Sequence, residues 1–184
     1  AGTGATIGIK NTLIGALVGD ALTDADENVA VGWGALSTDT LGSGSVAIGK
    51  DALVSQNFDS ATVTHNVAVG LGAGLAVTTG TQNTLLGSGA ADSLQTGHYN
   101  TTVGYQALQN EDATSANTAL GFRALYSMDG GLAGNTAVGA EAGFSLTNAS
   151  GLVAIGYQAS YSGTGADGVT AVGYGAGKFQ TTSA

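Results

Sequence analysis

Apolar residues recur along this chain in a short phrase. It reads Asn, Thr or Val, Ala, then Val, Ile or Leu, Gly, two variable residues, Ala, and Leu or Gly. The phrase begins at Asn11, Asn28, Ser45, Asn66, Asn83, Asn100, Asn117, Asn135, Leu152 and Val169, in steps of 17, 17, 21, 17, 17, 17, 18, 17 and 17 residues. A fixed short period is the mark of a repeat architecture. Positions two to four of each copy are β-formers or small apolar residues, as in Asn117-Thr118-Ala119-Leu120-Gly121. Position five is Gly in all ten copies, which predicts a bend at positive φ or a close approach of two backbones. The rest of each copy is polar and variable, with a second apolar residue at Leu22, Val77, Leu94, Met128 and Leu146.

Seventeen residues with several glycines leave no room for a capped amphipathic helix. Two short strands joined by two turns fit the count. The expected fold is therefore all-β: a parallel β-solenoid of about ten 17-residue coils, stacked at ~4.8 Å into a rod of ~48 Å. The absence of Pro agrees, because every interior strand donates to a neighbour. The longer step between Ser45 and Asn66 predicts a loop around Phe58-Asp59-Ser60. The whole chain, 1–184, reads as a single repeat domain. Beginning at Ala1 and lacking a signal peptide, it also reads as a piece of a longer protein.

The two faces of the first strand bear on assembly. Position four is always large and apolar: Ile14, Val31, Ile48, Val69, Leu86, Val103, Leu120, Val138, Ile155 and Val172. Position three, on the opposite face, is Leu13, Ala30, Ala47, Ala68, Leu85, Thr102, Ala119, Ala137, Ala154 and Ala171. A strand apolar on both faces is buried on both. One face lines the interior and the other meets another chain; the expectation is that position three is the face against the other chain.

Composition removes several function classes. Hydrophobic residues make up 43% and charged residues 9%, the reverse of a disordered chain. The net charge of −9 argues against nucleic acid and against an anionic membrane surface, both of which are bound through Lys and Arg. No cysteine is present for disulfides or thiolate sites. No apolar run is long enough for direct membrane insertion as a helix.

Ser45-Val46-Ala47-Ile48-Gly49-Lys50-Asp51-Ala52 resembles the head repeat of YadA-like trimeric autotransporter adhesins, and Asn66-Val67-Ala68-Val69-Gly70 and Val153-Ala154-Ile155-Gly156 look like further copies. Asn117-Thr118-Ala119-Leu120-Gly121 and Asn135-Thr136-Ala137-Val138-Gly139 also resemble repeats of phage and viral tail fibres. The resemblance covers about residues 11 to 177. It implies a left-handed parallel β-roll, a homotrimer and an attachment role. The departure is coil length, since the adhesin heads usually have somewhat shorter coils.

Candidate sites compete with structural roles. Position six gathers large side chains: Trp33, Leu71, Tyr105, Phe122, Tyr157 and Tyr174. An aromatic stripe there could grip a host glycan or an apolar surface, but packing at a coil corner or between chains is the favoured reading. Loop residues Phe58 and Asp59 are a second candidate surface. The recurring Asn at position one predicts a ladder of turn amides. Thr at position two could form an ice-binding array, but Val replaces it in four copies, which favours a half-polar buried strand. Asp24-Ala25-Asp26-Glu27 lacks the calcium-loop signatures and reads as a solvated loop. Gly163-Thr164-Gly165-Ala166-Asp167-Gly168 leads into a strand, where a dinucleotide motif needs a helix. His65 and His98 lack partners at metal or triad spacing. Asn100-Thr101-Thr102 and Asn148-Ala149-Ser150 match glycosylation sequons.

The expected function is a non-enzymatic segment of a trimeric surface fibre, on a bacterial cell or a virion, that mediates attachment. No cofactor and no metal are expected. The alternative is a self-assembling extracellular filament of chains stacked end to end. A polysaccharide-cleaving solenoid is disfavoured because no paired carboxylates recur at a plausible site.

Overall fold

A computed structural model describes residues 8–129, 133–164 and 166–180. The chain is a parallel β-solenoid. The strands Thr12–Ile14, Val29–Val31, Val46–Ile48, Val67–Val69, Thr84–Leu86, Thr101–Val103, Thr118–Leu120, Thr136–Val138, Val153–Ile155 and Thr170–Val172 form one ten-stranded parallel sheet in chain order. Each is positions two to four of one copy.

Register is kept residue for residue even where the period changes. Val46, Ala47 and Ile48 pair with Val67, Ala68 and Val69 across the 21-residue step. Thr118, Ala119 and Leu120 pair with Thr136, Ala137 and Val138 across the 18-residue step. The extra residues of the third coil are absorbed outside this sheet, where Thr62–Val63 pairs with Gly42–Ser43. The second strand of the coil forms a regular sheet only in the C-terminal coils, through Ser127–Asp129, Ser145–Thr147, Ser162–Thr164 and Phe179–Gln180. In the central coils the same path continues as single coil-to-coil bonds, such as Ala76 N–H to the Asp92 carbonyl at 2.9 Å.

The invariant glycine does what its position predicts. All ten have φ between 126° and 141°. They also stack: a Cβ on Gly121 would lie 2.5 Å from the Gly139 carbonyl oxygen of the next coil. Conformation and contact both demand the missing side chain.

The assignment of faces is corrected. Position three points into the solenoid, not towards another chain: Ala30, Ala47, Ala68, Leu85, Thr102, Ala119, Ala137 and Ala154 are fully buried. Position four points outward, and Ile14, Leu120 and Val172 are 59%, 44% and 63% exposed. The interior is thin. Ala at position three shares it with Ala at position eight and with Leu36, Leu53, Leu108 and Leu125 at position nine, all buried. The second apolar residues Leu22, Val77, Leu94, Met128 and Leu146 join the same core. These side chains fill the width available, so a larger residue at position three fits only where its neighbour shrinks.

Candidate functional site

The outer face of the ten-stranded sheet is built by strand alternation. Positions two and four of every coil lie side by side on it, giving a ladder of Thr or Val beside a ladder of Val, Ile or Leu. Neither ladder contains a charged residue. In-register pairing lines the side chains into straight rows along the stacking direction. The threonines Thr12, Thr101 and Thr170 are exposed on this face.

The aromatic residues at position six lie beside it, just past the glycine. Trp33, Tyr105, Phe122, Tyr157 and Tyr174 are all exposed. They form stacked pairs and not one continuous stripe. Tyr105 stacks on Phe122 with centroids 5.8 Å apart, and Tyr157 on Tyr174 at 5.3 Å. Ala140 interrupts the row between the pairs, and Trp33 instead carries Lys50 over its ring at 5.2 Å. A second row, not singled out in the sequence, runs along position ten: Tyr126, Phe144 and Tyr161 stack with centroids 5.0 Å apart. Its signal was present as three aromatic residues in one column of the repeat. Arg123 links the rows, with its guanidinium 5.1 Å from the Phe122 ring and 5.2 Å from the Tyr126 ring.

The loop candidates separate. Asp59 is exposed, whereas Phe58 is only 7% exposed. Its ring is withdrawn from water as expected of a large apolar side chain, and its carbonyl accepts from the Thr40 hydroxyl at 3.2 Å. Phe58 is therefore not an accessible binding residue.

The Asn ladder is present and buried. Asn117 Oδ1 accepts the Asn135 N–H at 3.0 Å, and Asn135 Oδ1 accepts the Leu152 N–H at 3.0 Å. The amide groups donate towards the loops, as from Asn83 Nδ2 to the Gly97 carbonyl at 2.8 Å. Asn100, the first residue of one sequon, belongs to this ladder and is buried; Asn148, in the other, is exposed.

Two acidic side chains enter the interior at position twelve, where five other coils place Leu, Val or Met. Asp39 accepts from Gln56 Nε2 at 2.6 Å and from the Gly42 N–H at 3.0 Å. Gln56 in turn receives Asn66 Nδ2 at 2.9 Å and donates to Ser45 Oγ at 3.0 Å. Ser45 stands where most coils have Asn, and its hydroxyl lies 2.5 Å from that of Thr64. Glu111 Oε1 accepts the N–H groups of Asp112, Ala113 and Thr114, at 3.0, 3.3 and 3.3 Å. Its Oε2 is buried without a hydrogen-bond partner. Burial holds both carboxyls above the usual carboxylate range, against the hydrogen bonds they accept. Four coils separate them, ~19 Å at the coil spacing. That is too far for the two carboxyls of a glycosidase, ~5–9.5 Å apart.

The remaining sequence candidates take structural places. Asp26 Oδ1 accepts the Ile9 N–H at 2.7 Å, and Glu27 pairs with Lys10 at 2.9 Å. His98 Nδ1 lies 3.0 Å from the Thr81 N–H and 3.0 Å from its hydroxyl. His65 is exposed, at φ 51°. Gly165 lies outside the described residues. Among the described residues, no group of three or more His, Cys, Asp or Glu is placed to hold a metal ion. Comparison with protein-family models, with curated proteins and with solved structures found no match.

Proposed function

We propose that this segment is a shaft in a trimeric surface fibre, displayed by a bacterial cell or a virion, that serves attachment. One observation carries the reading: the outward sheet face is an uncharged, in-register double ladder running through ten coils, with Val, Ile or Leu at every position four. Covering each such side chain contributes up to ~1.5–3 kcal/mol, in proportion to the apolar area removed from water. Parallel copies of this chain present matching ladders, so an edge-aligned bundle covers the face along its whole length. The number three rests on the resemblance to adhesin and tail-fibre repeats. The reading assigns the segment no catalytic step.

The test is the mass of the folded chain in solution. Light scattering is expected to give three times 17.7 kDa. A stable folded monomer would sink the fibre reading and leave the exposed Thr and Val rows as a bare regular array, which an ice-recrystallisation assay then examines. Indefinite filaments in electron micrographs would replace side-by-side bundling with end-to-end assembly.

A further inference from the structure

Between the position-six and position-ten rows runs a channel whose floor is position seven. The contacts of Arg123 at position seven define it, since its guanidinium touches a ring from each row. From the sixth coil to the ninth, side chains fill the channel: Arg123 Nε donates to Gln106 Oε1 at 2.9 Å, and Gln158 Nε2 to Glu141 Oε2 at 2.7 Å. In the fourth and fifth coils position seven is Gly72 and Gly89, and the channel is open. The opening is a depression of about 270 Å³, close to the lower end of ligand-site sizes, ~300 Å³. On one side stand Leu71 and Tyr105, 60% and 48% exposed. On the other stand Leu75, Asp92 and Gln109.

We propose that this depression binds a short neutral oligosaccharide. The lining has two kinds of surface that together suit a pyranose. Leu71, Leu75 and the Tyr105 ring offer apolar area for the C–H face of a sugar. The polar groups opposite are rich in acceptors. Gln109 and Asp92 stand there together, with Gln109 Nε2 3.5 Å from Asp92 Oδ2. Asp92 adds a carboxylate. A ligand that donates through hydroxyls pairs with this carboxylate, and hydrogen bonds to a charged acceptor are the stronger kind. No Lys or Arg lines the depression, and the chain carries a net charge of −9, so sulfated or uronic glycans are repelled.

The proposal deepens the attachment reading and rests on it for its biological purpose, but its test is separate. Cellohexaose, mannohexaose and laminarihexaose, with heparin as an anionic control, are titrated calorimetrically into the full chain. At least one neutral hexaose is expected to bind, independently of added salt. Tyr105→Ser is expected to weaken it by about tenfold or more, the loss typical of an aromatic anchor. Because Tyr105 also stacks on Phe122, a second variant is needed. Gly89→Gln closes the depression with a side chain at φ 63°, a conformation that Asp51, Gln106, Arg123, Glu141 and Gln158 already adopt at position seven. It should remain folded with at most a modest drop in melting temperature, and lose hexaose binding. Absence of binding by all three hexaoses, binding abolished by salt, or Gly89→Gln binding like wild type overturns the proposal. If a trimer still coats host cells in that event, the groove alone has failed; a monomer that binds hexaose overturns the fibre reading instead.

Discussion

Gly74 and Leu85 occupy one volume between them: a Cβ on Gly74 would sit 2.7 Å from Cδ1 of Leu85 in the next coil. Leu85 is one of only two leucines at position three, and the coil beneath it has Gly where Leu36, Leu53, Leu108 and Leu125 stand elsewhere. Leu85→Ala should cost ~2–5 kcal/mol by opening a cavity. Gly74→Leu alone should also destabilise, by overlap with Leu85. Combined, the two should cost less than their sum by ~0.5–3 kcal/mol, because leucine at position nine already sits at φ 49° to 52° in the other four coils. Urea melts of the four proteins measure the coupling, and strict additivity would show that the two side chains do not share space.

Adjacent residues Ala119 and Leu120 distinguish the faces. Ala119→Glu places a charge in the dry interior and should abolish the folded state. Leu120→Glu puts the same charge on the outer ladder and should lower the assembly state at a given concentration. Circular dichroism and sedimentation read the two effects. Loss of fold from Leu120→Glu with full tolerance of Ala119→Glu would reverse the faces.

Gly121→Val should destabilise by more than the ~1–3 kcal/mol of ordinary backbone strain, since its φ is 139° and the added carbon meets backbone of the next coil. Backbone cannot swing aside as a side chain can. A thermal melt close to wild type would refute the stacking of these turns.

The buried carboxyls predict a pH dependence of a stated sign. Burial raises Glu111 and Asp39 above their ordinary values, so the folded chain holds protons that the unfolded chain releases. Their stabilising effect is complete below the ordinary carboxylate range, ~4, and is lost as pH rises through the raised values. The melting temperature should therefore fall from pH 4 towards neutrality. Glu111→Gln keeps the acceptor for the three backbone N–H groups and should flatten that slope; an unchanged slope would exclude Glu111 as its source.

Period, invariant glycine and Asn ladder were legible in the sequence because each depends on coil-to-coil identity. Asn117 meets Asn135 whatever the cross-section of the coil. The inward face was not legible. Alternation shows that Ala119 and Leu120 face opposite ways, but which is interior depends on the width left by Ala124, Leu125 and Met128, which arrive from the other side of the same coil. Large residues were expected inside; the interior is too narrow for them at position three. The open channel was hidden for a similar reason. Gly72 and Gly89 look like ordinary turn residues until rows six and ten are seen to flank them. Phe58 shows the limit of reading loop position as exposure.

The hydrogen bonds between coils run along the stacking direction, and the buried cluster of Asp39, Gln56, Ser45 and Thr64 interrupts the apolar core in the second and third coils. Tension applied along the stack is thus carried by coil junctions in series, so the weakest junction sets the breaking force. Polar groups can exchange their partners for water at lower cost than packed Leu and Ala, which makes this junction a mechanical fuse. A solenoid pulled along its axis would yield there first and could re-form by re-pairing its neighbouring coils in register.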